Sequence, residues 1–403
     1  MHRKTRRTAI HLALFSTLLT LLLLTNRPPN ESRTFPWTKI RYASPLTTLS
    51  ASASTSFSPK PAFPDSHGTC PGLSKSLKKP VLVVSHIDAD GGTDWLTESG
   101  LAKKYHLCIY DVDAPILSKR DTLRVPANRA HESITYLTFL ISNYDSLPPT
   151  GVVFVHGSRF AWHNDSPDYD NAGLLADLNV ENAIEGGAGY GYHNLRCDWS
   201  VGTCGDGAVP QGSLQIGLQA VLDPWDGRVV SDAGLPGALG VVFGSDTNIK
   251  KGRAMLGRHD VLRAQCCAQF VVSREAIRRH ERGEYVALRE WLLDGSISST
   301  SISTTSNSRV LRQAGITAAP KDDKVAGRIL SYMWHILFLD ARVEGSEEEV
   351  DLGKLNRMAC PTAQECYCRL YGRCGLERCR AGSCGVYRVP PGYKVPKGIL
   401  EGA

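Results

Sequence analysis

Residues Gly151–Asp165 read GVVFVHGSRFAWHND. The apolar run Val152–Val155 has the length of a buried strand, and it stops at His156. Two histidines, an arginine, two aromatics and an Asn-Asp pair follow within ten residues. Such a stretch is either the rim of a site or the polar end of a strand that needs solvating. The choice turns on what surrounds it.

Similar short apolar runs flank it on both sides. VLVVSHI (81–87) reads as a buried strand entering the turn DADGGTD, and HLCIYDV (106–112) as another, with a short helix over 95–104 between them. NRAHESITYLTFLISNYDSLP (128–148) carries Ile134, Leu137, Ile141 and Tyr144 at helical spacing, and its other face (Tyr136, Phe139, Leu140) is apolar too. This predicts a helix buried on both sides. ALGVVFGSD (238–246) and AQFVVS (268–273) read as further strands. Strands alternating with helices predict an α/β fold with a mostly parallel sheet, over 80–340, with 295–325 as a polar, disordered insertion.

The ends of the chain set the expected compartment. MHRKTRR precedes an uncharged apolar run, Ala9–Thr25. As a helix its seventeen residues rise about 25 Å, enough for a short span. The basic flank predicts a type II signal-anchor: tail 1–8 in the cytosol, span 9–25, and the remainder in the Golgi or ER lumen. Residues 26–79, rich in Pro, Ser and Thr, read as an extended stalk. The chain holds 46 basic and 40 acidic residues, and four of the basic ones lie ahead of the span, leaving 42 against 40. That balance is no footprint for a polyanion, so nucleic acid is set aside as a partner.

All twelve cysteines lie beyond the span, six of them between Cys360 and Cys384. In an oxidising lumen they predict a disulfide-rich C-terminal cap over 341–403. Cys197 and Cys204 are close enough to close a short loop, Cys266 and Cys267 are unsuited to pairing with each other, and Cys108 reads as free.

In open α/β sheets ligands gather beyond the carboxyl ends of strands. The candidates there are His156 and His163 as acid–base or metal groups, Glu132 at the start of the buried helix, and Arg159 and Arg196 for phosphate or acceptor. Trp162, Asn164 and Gln269 are candidates for substrate contact, and Asp88 and Asp90 for the neighbourhood of a nucleotide. The structural alternatives are a satisfied core histidine, a surface arginine, aspartates that cap their own turn, and a glutamate that answers a helix dipole. Asp111 and Asp113 share the Asp-x-Asp spacing.

ANRAHESITYLTFLISNYDSLP, VVFVHGSRFAWHND, GYHNLRCDWSVGTC, CCAQFVVSREAI, WHILF and CYCRLYGRC follow one another in the order of the mainly fungal domain of unknown function 3431, which the chain resembles over residues 80–390. That family in turn looks similar to nucleotide-sugar-dependent glycosyltransferases of the GT-A, Rossmann-like fold. The resemblance implies a lumenal transferase taking a nucleotide sugar and a glycan acceptor, with Mn or Mg as an implied cofactor. Departures stand beside it. Ala130 and His131 replace the family's usual Gly and Arg, Ser331 stands where a Glu is typical, and His156-Gly157-Ser158 occupies the place of the GT-A Asp-x-Asp. Two other classes remain open: a non-catalytic lumenal binding or scaffold protein, which these departures favour, and a metal-dependent oxidase of secondary metabolism using the two histidines as ligands.

Overall fold

A computed structural model describes residues 2–25, 33–44, 65–75, 77–114, 122–161, 163–165, 169–185, 191–244, 253–266, 268–295 and 318–384. The chain divides into two compact units, Met1–Arg33 and Thr34–Ala403.

The first unit holds one helix, α1 (His2–Thr25). Its described side chains, Ile10–Leu21, are solvent-facing all round. Among the described residues no helix is long and apolar enough to cross a membrane. The expected span 9–25 lies partly outside the side chains described.

The second unit is built on a five-stranded sheet of order β3-β2-β4-β6-β5, with β2 (Val81–His86), β3 (His106–Asp111), β4 (Val152–His156), β5 (Tyr192–Asn194) and β6 (Phe270–Val272). β2 pairs in parallel with both β3 and β4, while β6 runs antiparallel to β4 and to β5. The sheet is therefore mixed, and every strand but β6 points the same way. Alternation along the strands sends Val83, Phe154 and Phe270 to one face and Val84, Val155 and Val271 to the other, each against its own apolar layer.

The helices used below are α2 (Glu132–Ser142), α3 (Leu214–Leu222), α4 (Gly227–Phe243), α5 (Arg282–Asp294), α6 (Asp323–Ser331), α7 (Trp334–Phe338), α8 (Leu352–Ala359) and α9 (Ala363–Tyr371). α2 lies between the sheet and α5, so Ser133–Ile141 are all buried, as its two apolar faces require. On the opposite face Trp95, Leu96 and Leu101 join Tyr367 and Leu370 of α9.

Three expectations are corrected. ALGVVFGSD is not a strand, since Ala238–Phe243 form the end of α4. Asp226 precedes that helix, and its carboxylate accepts from the Arg228 and Val229 amides. A short apolar run does not by itself distinguish a strand from a buried helical turn. The stalk does not extend over all of 26–79. Thr34–Phe35 pair as β1 with β7 (Val350–Asp351), and Phe35, Trp37, Ile40 and Tyr42 enter the core. The Trp37 indole donates to Ala254 O at 2.9 Å, and Tyr42 and Ser44 both donate to Asp294. Each large side chain so buried contributes about 1.5–3 kcal/mol. Residues 45–64 of the stalk and 296–317 of the insertion lie outside the described residues, but from Ala319 the chain is again packed.

The third correction concerns cysteine pairing. Cys108 is bonded to Cys70, and Cys197 and Cys204 reach Cys366 and Cys360 instead of each other. Cys368–Cys374 and Cys379–Cys384 close small loops, the latter across the β8–β9 hairpin (Cys379–Arg380 and Ser383–Cys384). Cys266 is also disulfide-bonded, while Cys267 lies outside the described residues. The C-terminal segment is thus stitched to the sheet's loops, and the set of bridges points to an oxidising secretory compartment.

Candidate functional site

The carboxyl ends of β2, β3 and β4 form one continuous rim, because β2 pairs with both of the others. Gly157 carries the chain past β2. A Cβ there would come within 2.6 Å of Asp90 Oδ2, 2.8 Å of His86 Cα and 2.9 Å of Ser85 O, so only glycine admits this approach. The Trp95 indole donates to Gly157 O at 3.2 Å and fixes the turn from behind.

His156 ends β4 with its ring between two neighbours. Its Nδ1 is 3.7 Å from Oε2 of Glu132, in the first turn of α2. Its ring stacks on His163, with centroids 4.6 Å apart and planes 19° from parallel. Nε2 of His156 is buried and has no hydrogen-bond partner. Burial, with the charges of His156, Arg196 and His131 behind it, holds His163 well below the ordinary histidine range, so it is neutral near pH 7. One turn on from Glu132, the Tyr136 hydroxyl is also buried and unpartnered. Burial first, and then the Glu132 charge, pushes it well above its usual range. Sequence reasoning placed Tyr136 in the core and missed its hydroxyl, although Glu132-x-x-x-Tyr136 is a same-face helical spacing.

The entry to α2 is strained. Ala130 and His131 have φ of 55° and 53°, values that favour glycine. A glycine at position 130 would escape that strain. Two consecutive non-glycine residues in this region cost on the order of 1–3 kcal/mol each, and such strain clusters at working sites. The turn is held by the neighbouring Arg129, buried and donating to Leu292 O at 3.2 Å and Lys321 O at 3.0 Å, and paired with Asp323.

Gln269 and Asn164 are structural partners of the rim. Gln269 Nε2 donates to Asn164 Oδ1 at 2.5 Å, while its Oε1 accepts from the His156 amide at 3.1 Å. Asn164 is buried. Arg196 is buried as well. It donates to Asn164 O at 2.7 Å and Ser200 Oγ at 3.0 Å and faces Asp165, which leaves no open guanidinium for a phosphate. Arg159 is half-exposed against Asp170, at 3.2 Å. Asp90 accepts from Ser158 Oγ and, at 3.0 Å, from the Ile87 amide, as a turn-capping aspartate does. Asp88 is exposed, and its amide donates to Asp113, whose other oxygen accepts from Asn128 at 2.7 Å. Trp162 lies outside the described residues.

Cation sites can be tested on donor grouping. Among the described residues only Cys70, His106 and Cys108 gather their ligand atoms closely, and there the two sulfurs are bonded to each other. Glu132, His156 and His163 do not form such a set, and stacked imidazoles present their nitrogens side by side instead of toward one point. Neither do Asp88, Asp90 and Asp113. A cleft of about 840 Å³ opens elsewhere, lined by Asn182, Glu185, Gln364, Glu365 and Arg369 among others, and no rim residue borders it. The rim is thus a polar edge where a carboxylate and two imidazoles meet, with the buried Tyr136 hydroxyl one helical turn on from the carboxylate.

A family model described as "Protein of unknown function (DUF3431)" matches residues 82–369. No curated protein and no solved structure matches.

Proposed function

The chain belongs to the DUF3431 family, and from that premise we propose that it is a membrane-anchored lumenal transferase of GT-A-like fold, acting on a nucleotide sugar at the carboxyl rim of its sheet. The observation that carries the reading is the Glu132–His156 pair with its vacant Nε2. Glu132 favours the tautomer protonated at Nδ1, which leaves the Nε2 lone pair as a general base. In the transfer, that lone pair takes the proton of an acceptor hydroxyl as its oxygen bonds to the anomeric carbon. The bond from that carbon to the diphosphate oxygen breaks, and its electron pair departs with the nucleoside diphosphate. His163, kept neutral by burial, adds no positive charge beside the base. Mn or Mg is the ion the resemblance implies, but the rim carboxylates do not fit a ready-made cation site, and no step is routed through one.

The anchoring part of the proposal rests on the basic flank and apolar run of α1 and on the disulfides, which require an oxidising compartment. The test is nucleoside diphosphate release by the purified full-length chain over a panel of nucleotide sugars. Release that depends on His156 is expected. No release with any donor, from a folded chain, favours the scaffold reading instead.

A further inference from the structure

Helix α3 turns its apolar face away from the protein. Leu214, Leu218, Val221 and Leu222 fall within an arc of about 100° at helical spacing. They are 75%, 55%, 76% and 73% exposed, and Trp225, just beyond the helix, is 79% exposed. Ile216, on the opposite side, is buried. The orientation is fixed. Ser213 caps the helix through the Ile216 amide, α4 packs alongside, and Gln211 is bonded through both amide atoms to Leu262. Among the described residues, every large apolar side chain that is exposed belongs either to α1 or to this face. A contiguous patch on a surface otherwise so well covered marks an interaction site.

We propose that the α3 face, from Leu214 to Trp225, is an interfacial anchor seated in the headgroup and acyl boundary of the bilayer. The inference rests on the reading of α1 as a membrane anchor. Chain length argues for lipid as the occupant. Packed structure begins at Thr34 and not at residue 80, so eight residues, 26–33, separate Thr25 from the folded unit. Fully extended, that tether reaches under about 30 Å, so a folded unit so tethered stays beside the bilayer. The chemistry agrees. α3 itself carries no charged residue, Asp223 and Asp226 flank Trp225 beyond its end, and a tryptophan closing a leucine-rich face suits the water–lipid boundary. Attraction is therefore apolar and insensitive to salt.

The test reconstitutes the full-length chain into phosphatidylcholine vesicles with plain or brominated acyl chains, beside Trp225→Phe. The chain has seven tryptophans, and the difference between the two proteins isolates Trp225. Expected is loss of the Trp225 component in brominated vesicles, unchanged by salt and abolished in Leu218→Ser/Leu222→Ser. Those side chains are exposed, so the variant keeps its fold. Vesicle flotation of the full chain with an unquenched Trp225 overturns the inference and leaves the α1 reading intact. A Trp225 shielded from an aqueous quencher but untouched by bromine, in a chain that cross-links as a dimer, overturns it in favour of a second copy. Failure of the chain to float with vesicles defeats both.

Discussion

Oε2 of Glu132 lies 3.7 Å from Nδ1 of His156, bringing the start of a buried helix to the end of a central strand. The helix shortly precedes the strand in sequence and packs directly on β2 and β4, so the carboxylate and imidazole meet at the sheet's rim. Neither residue is fully buried, with side-chain exposures of 11% and 18%. Nε2 itself is covered, so what exposure the imidazole has lies on the rest of its ring.

The first prediction concerns this pair. His156→Ala should slow transfer by about 10²–10⁴-fold, the usual contribution of a positioned proton acceptor. Glu132→Gln keeps the shape and removes the charge that sets the tautomer, so it should lower kcat with little change in KM. Glu132→Asp should recover part of the loss. Steady-state kinetics on the three variants read this directly. Equal effects on kcat and on thermal stability would reduce the pair to a structural contact.

Trp37 tests the reassigned N-terminal segment. Trp37→Ala empties a fully buried site stacked on Phe35 at 4.2 Å and should cost about 3–5 kcal/mol. A fragment beginning at residue 80 loses β1, Trp37 and the Cys70–Cys108 bridge together, and should fail to give a cooperative transition. Denaturant unfolding checks both.

The bridges Cys197–Cys366 and Cys204–Cys360 close separations of 169 and 156 residues. Either alone constrains the unfolded chain by about 5 kcal/mol, but once one is closed the other shuts only a short residual ring, worth about 3 kcal/mol. Replacing one pair by serine should therefore cost about 3 kcal/mol, and replacing the second distinctly more. Additive costs in urea unfolding would show that loop entropy is not the source.

Acid should destabilise the fold through its buried histidines. Burial lowers His193 to about 4 and His335 to about 3. Both depart from an unfolded value near 6.5, so the unfolded state binds more protons below that pH. Their stabilisation is complete above pH 6.5 and is lost as pH falls toward 4, by up to about 1.4 kcal/mol per pH unit for each group. His335→Asn should flatten the limb by one proton, whatever it costs at neutral pH. Stability measured from pH 7 to 4 decides it, and an unchanged slope contradicts the assignment.

Much of the central sheet was legible in the sequence because its strands are short apolar runs closed by polar turns. Val81–His86, His106–Asp111, Val152–His156 and Phe270–Val272 fall where those runs lie. The all-round burial of α2 followed from its two apolar faces. What escaped was information carried at a distance. Phe35, Trp37, Ile40 and Tyr42 are an aromatic and aliphatic cluster, hidden by the Pro, Ser and Thr around it; position-by-position reading would have found it. Disulfide partners from 38 to 169 residues apart leave no local trace. At the site, the meeting of Glu132 with His156 depends on helix–sheet packing, and the inward roles of Arg196 and Gln269 depend on the loop they tie down. The exposed face of α3 was readable as a periodic Leu-Leu-Val-Leu pattern, but its outward direction was not.

Thermal unfolding of the full-length chain with a panel of nucleotide sugars, with and without manganese, tests the central claim most directly. A donor held at a hundredfold its dissociation constant adds about 2.7 kcal/mol to folding, a shift that is easily read. The account predicts such a shift with at least one donor, kept in His156→Ala, whose loss falls on transfer and not on donor binding. No shift with any donor would contradict it.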